Sequence, residues 1–87
     1  MNKMTLAAAR VNAGYKQKEA APLLGIAART LRRYEATGNP PLNIAFNMSK
    51  LYGKQLDGLF FGSKSAYRKA IMEKRKLEET DNETKNE

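Results

Sequence analysis

The sequence predicts an all-α chain. Three observations support this. Apolar residues recur at helical spacing, glycines and prolines punctuate the periodic segments, and no stretch alternates apolar and polar residues as a half-buried strand does. Hydrophobic residues make up 41% of the 87, enough for one compact core but not for a second.

Five helical units fit within residues 5 to 61. The first starts at Thr5, a suitable N-cap, and runs through "LAAARVNA" to Gly14, with Leu6, Ala9 and Ala13 on its apolar stripe. The second is "QKEAAPLL", with Ala20, Leu23 and Leu24 inward and Gly25 as terminator. Pro22 removes a hydrogen bond inside it, at a cost of about 3 kcal/mol, and predicts a kink or a shortened helix. Three residues, "GIA", lead to the third helix, "AARTLRRYE". The loop "TGNPP" follows, and a fourth helix begins near Asn43 with Ala45, Met48, Leu51 and Tyr52 facing in and Gly53 closing it. A short fifth helix, "LDGLFF", supplies Leu56, Leu59 and Phe60 to the core.

After Gly62 the character changes. Ser63 can cap a sixth helix that carries Ala66, Tyr67, Ala70, Ile71 and Leu77 along one side and many charges on the other. The expected divisions are a body over residues 1–62, an amphipathic helix over 63–79 and a disordered acidic tail over 80–87.

Charge narrows the function. The net charge is +7, and it is unevenly spread: fifteen basic and four acidic side chains in residues 1–76, one and five in residues 77–87. A basic body is attracted to nucleic acid or anionic lipid. The chain has no cysteine and no histidine, which excludes disulfides, zinc fingers and thiol or imidazole catalysis. The first sixty residues hold three carboxylates, Glu19, Glu35 and Asp57, too few for an acid/base pair or a metal cage. No apolar run approaches the roughly 18 residues of a membrane span, and the N-terminus lacks the apolar core of a signal peptide. The expectation is a cytoplasmic binding module that is not an enzyme and needs neither metal nor cofactor.

The third helix carries the sharpest signal. At about 100° per residue, Ala28, Arg29, Arg32 and Arg33 fall on one half of the cylinder, with Thr30, Leu31 and Tyr34 on the other. One half can enter a core while the other presents three guanidinium groups to an anionic surface.

Through "NAGYKQKEAAPLLGIAARTLRRYE" and "LNIAFNMSKLYGKQLDGLFF", residues 5–61 resemble the Cro/phage-repressor (XRE-type) helix-turn-helix family. The resemblance implies a compact five-helix, lambda-repressor-like domain in which the second helix of the pair enters the major groove of double-stranded DNA. It implies base contacts by Ala28, Arg29 and Arg33, phosphate contacts by Gln17, Lys18 and Arg32, and a buried ion pair between Arg10 and Glu35. It further implies a homodimer acting as a repressor on a palindromic operator. A protein-interaction module of the same fold, an antirepressor or antitoxin, is the alternative, and residues 63–79 offer a surface for a protein partner. Three departures stand out. Ala27 replaces the usual Ser or Thr cap before the recognition helix, forfeiting about 0.5–2 kcal/mol. The loop "EATGNPPL" is about one residue shorter than the family's common form, and Lys54 replaces an apolar residue.

Overall fold

The computed structural model describes residues 3–86, with backbone alone at residue 64 and over residues 77–86. The chain opens with a two-residue strand β1 (Met4–Thr5), then α1 (Leu6–Asn12), α2 (Gln17–Leu23), α3 (Ala28–Thr37) and α4 (Leu42–Tyr52). A 3-10 turn (Leu56–Gly58), a second strand β2 (Leu59–Phe60) and the long helix α5 (Lys64–Asn86) complete it. The architecture is all-α, with five α-helices and one very short parallel ladder.

The helix starts follow local chemistry. The Ala8 amide donates to the Thr5 hydroxyl oxygen at 3.1 Å, so Thr5 caps α1 as its position predicts. At α2 the Lys16 amide donates to the Glu19 carboxylate at 2.8 Å, and the acid sits where the helix dipole favours it. Ala27 gives α3 no side-chain cap, as the alanine requires. The expected terminators Gly14, Gly25 and Gly53 all adopt positive φ. α2 ends one residue after Pro22, the shortened helix that the proline predicts.

Leu6, Ala9, Ala20, Ala21, Leu24, Leu31, Ile44, Met48, Tyr52 and Leu59 form one core cluster, with Leu31 and Met48 fully enclosed. α2 and α3 pack against each other more extensively than any other pair of elements.

Two expectations need correction, Leu23 in α2 and the segment after α4. Leu23 is exposed, because α2 buries the arc of Ala20, Ala21 and Leu24, and Leu23 lies about 100° around the cylinder from its centre. α4 starts at Leu42, next to Asn43 as expected, and buries Ile44 beside the expected Ala45, Met48 and Tyr52. The segment "LDGLFF" is not a helix. One 3-10 turn ends at Gly58, and Leu59 and Phe60 extend to pair in parallel with Met4 and Thr5. A two-residue ladder has no alternation to read, because its partner lies over fifty residues away in sequence. Helical backbone is described through Asn86, while Glu87 lies outside the described residues.

The Ala66 amide donates to the Ser63 hydroxyl at 3.1 Å, capping α5 as expected. The Tyr67 ring meets Phe60 edge-on at 5.0 Å, and its hydroxyl donates to the Lys3 carbonyl at 3.1 Å. Tyr67, Ala70 and Ile71 are half-buried, Ala66 is exposed, and the Leu77 side chain lies outside the described residues. Beyond those turns α5 stands away from the body, and the molecule is 55 Å long and 21 Å across.

Candidate nucleic-acid interface

The basic face of α3 exists because its opposite face is fully used. Leu31 is completely buried, Tyr34 and Thr30 are half-buried, and Glu35 is buried one turn after Leu31. The remaining half of the cylinder presents Arg29, Arg32 and Arg33, all exposed. Ala28 stands apart from them: it is half-buried and packs its methyl against the core cluster. The Arg33 guanidinium lies 5.7 Å from the centre of the Tyr34 ring, a cation–π contact that parks it at the edge of the basic face.

Glu35 fixes the orientation of that face. Arg10 Nε donates to Glu35 Oε2 at 2.6 Å and Arg10 Nη2 donates to Oε1 at 3.3 Å. The third arm of the guanidinium, Nη1, donates to the Tyr15 carbonyl at 2.8 Å. Gln17 Nε2 adds a bond to Glu35 Oε1 at 2.9 Å. Both members of the ion pair are largely shielded, with side-chain exposures of 12% and 5%. One carboxylate thus joins α1, the turn before α2, the first residue of α2 and the second half of α3. A buried charge needs this many partners, since losing one would strand the other in a medium of low dielectric.

Tyr52 of α4 abuts the same network. Its phenol is pushed up to about 12, first by burial and then by the Glu35 charge, with Arg10 opposing. Its hydroxyl is the one buried side-chain polar atom without a hydrogen-bond partner among the described residues.

The expected phosphate-contact residues divide. Gln17 and Arg32 come together in one open cleft of about 310 Å³, whose walls include Ala7, Ala36, Ser63 and Ser65. Lys18 is exposed on the next residue of α2 and does not line the cleft. Gln17 also spends one amide hydrogen on Glu35, so it braces α3 while its other polar atoms remain for a ligand. Sequence reasoning missed Ser63 and Ser65 as cleft walls, because only the return of the chain past α3 brings them there. Tyr15 was missed because its carbonyl, not its side chain, does the work.

Among the described residues no group of His, Cys, Asp or Glu side chains could hold a metal ion, and no helix is long and apolar enough to cross a membrane. No curated protein and no solved structure matches the chain. A family model for the helix-turn-helix domain matches residues 6–59, the stretch from the first turn of α1 to β2. That match covers well over half of the chain and contains the whole basic face with the ion pair behind it, and the protein belongs to the XRE-type helix-turn-helix family of DNA-binding regulators.

Proposed function

We propose that the protein is a transcriptional repressor that binds a palindromic operator as a homodimer, without cofactor and without catalysis. The observation that carries the reading is the division of labour on α3: a fully buried inner face, a carboxylate tied to three donors, and three exposed arginines on the outer face. Base readout needs side chains held on a rigid element, and this helix is held along its length.

On this reading Arg29 and Arg33, one turn apart, reach base edges, where a guanidinium bonds guanine O6 and N7 together. Arg33 leaves the Tyr34 ring to do so, a step that costs about 0.5–1 kcal/mol at an exposed site. Ala28 is half-buried, so it contributes a methyl contact at the margin of the face. Arg32, Gln17 and Lys18 hold the backbone on either side of the groove. Phosphate contacts set position and orientation and carry no base identity.

Dimerisation is supported by apolar surface the monomer leaves uncovered. Leu42 and Phe46 are exposed and stand one turn apart on α4, and Phe61 is exposed beside Leu42 in a groove with Leu56 and Ala45. Large side chains gathered in this way mark an interaction surface.

The test is selection of bound sites from random duplex DNA, followed by titration over a range of salt. Two-fold symmetric sites and a log-linear loss of affinity, about −0.9 for each phosphate contacted, are the expected result. Affinity that is flat from low to physiological salt would sink the reading. A stoichiometric complex with a partner protein, formed without DNA and with no selected duplex, would favour an antirepressor or antitoxin instead.

A further inference from the structure

The cations of α5 have no place in the three-helix logic of the recognition unit, yet they are not scattered. Ser65, Arg68, Lys69, Met72, Glu73, Arg75 and Lys76 line one continuous groove along the helix, at the i, i+3, i+4, i+7, i+8, i+10, i+11 positions of a single face. Tyr67, Ala70 and Ile71, half-buried, occupy the opposite side, which in its first turns rests on Phe60 and the Lys3 carbonyl. The body therefore fixes which face of α5 turns outward, and that face carries four cations against one carboxylate, Glu73.

Its starting point matters most. Ser65 lines both this groove and the cleft that contains Gln17 and Arg32. The cleft that holds Arg32 thus adjoins the basic face of α5 at residue 65. The chain enforces this junction: a Cβ at Gly38, the residue that ends α3, would overlap the Gly62 backbone just before α5.

We infer that α5 is a second DNA-contacting element, whose Arg68, Lys69 and Arg75 follow the phosphate backbone outward from the Gln17–Arg32 cleft into the DNA flanking the half-site. This rests on the DNA-binding reading and extends it. From Ser65 to Lys76 the helix rises about 16 Å, the axial length of roughly five base pairs at 3.4 Å each. A strand held in the cleft meets Arg68 and Lys69 first and Arg75 about two turns later. Contacts of this kind add affinity and salt dependence but no base preference.

The experiment uses the full chain and its selected operator, in duplexes trimmed to the site or extended by about five base pairs on each side. The variant Arg68→Gln, Lys69→Gln, Arg75→Gln removes charge from exposed positions and leaves Tyr67, Ala70 and Ile71 in place; far-UV circular dichroism verifies the helix. Wild type is expected to bind the extended duplex several-fold more tightly than the trimmed one. The variant should lose that gain, show a salt slope shallower by about 2–3, and keep its preference at every operator base pair. The charge-retaining variant Arg68→Lys, Lys69→Arg, Arg75→Lys should behave as wild type, since a phosphate is served by either cation. A glutamine variant with the wild-type slope and the wild-type flank gain overturns the inference. So does loss of binding to phosphatidylserine vesicles, or a changed mass in sedimentation, when DNA binding is unaltered. A wild-type chain that binds no duplex at all fails the DNA reading itself, a result distinct from normal operator binding that ignores the flanks.

Discussion

α3 and α5 each turn a row of cations to solvent, and the chain holds them in opposite ways. α3 is ten residues long, buries Leu31 completely, and has Glu35 bonded to Arg10 and Gln17. α5 spans Lys64–Asn86, and its contacts with the body lie near its start, through the Tyr67 ring and hydroxyl. The difference suits the roles proposed for the two surfaces. A base edge is one pattern at one place, so the side chain reading it must be held to within a fraction of an ångström. Phosphates repeat along the strand and look alike, so a helix held only near its start still meets one.

The most damaging way to erase this contrast is to cut the brace behind α3. Glu35→Ala leaves the Arg10 guanidinium buried without its anion and is expected to cost about 3–5 kcal/mol, read by denaturant or thermal unfolding. Operator affinity should fall with stability, and Arg10→Ala should reproduce most of the loss without adding to it in the double variant. Next in size are the proposed base readers. Arg29→Ala and Arg33→Ala should each weaken the operator by about 1–3 kcal/mol and random duplex far less, while melting temperature stays within a degree or two of wild type. Equal losses on both kinds of DNA would show that these arginines hold phosphate, and α3 would then differ from α5 only in rigidity.

Smaller effects sharpen the comparison from the α5 side. Tyr67→Phe keeps the edge-on ring contact and removes the bond to the Lys3 carbonyl, at a cost of about 0.5–1.5 kcal/mol. Hydrogen exchange should rise in α5 and leave α3 unchanged. The smallest change is Tyr52→Phe, which deletes a buried hydroxyl without a partner among the described residues, and stability should stay level or gain up to about 1 kcal/mol. Its signature is in pH. Because the folded phenol titrates near 12, the unfolded chain releases its proton first, and wild-type stability falls as pH climbs from about 10 toward 12. The phenylalanine variant lacks that part of the decline, measured as unfolding free energy against pH.

Much of the recognition unit was legible in the sequence because its signals are local. Thr5, Gly14, Gly25 and Gly53 mark helix ends through their own side chains or backbone freedom, and the spacing of Arg29, Arg32 and Arg33 against Leu31 and Tyr34 follows from helix geometry alone. The Arg10–Glu35 pair was legible only through the family resemblance, since nothing local joins residues 25 apart. What the sequence hid depends on chain return. Leu59 and Phe60 become a strand because Met4 and Thr5 lie beside them, and Ser63 and Ser65 become walls of a cleft because Gly62 passes close to Gly38. The Leu23 error has another cause: a seven-residue helix is too short for its stripe to outvote a neighbouring leucine.

The approach of Gly38 to Gly62 also sets how far the sequence can drift. At Gly14, Gly25 and Gly53 a Cβ would meet open space, so the only demand is a positive φ, which asparagine or aspartate can meet at modest cost. Gly38 carries the same backbone demand, and in addition a Cβ there would collide with the main chain of Gly62, which cannot rotate aside as a side chain would. Gly62 is hemmed in too, with the Phe60 ring 2.9 Å from where its Cβ would sit. In a library that samples every residue at every position, the first three glycines should tolerate a short set of replacements. Positions 38 and 62 should return glycine almost alone, the first because a Cβ there strikes the Gly62 main chain, the second because its φ is positive and a Cβ there crowds the Phe60 ring.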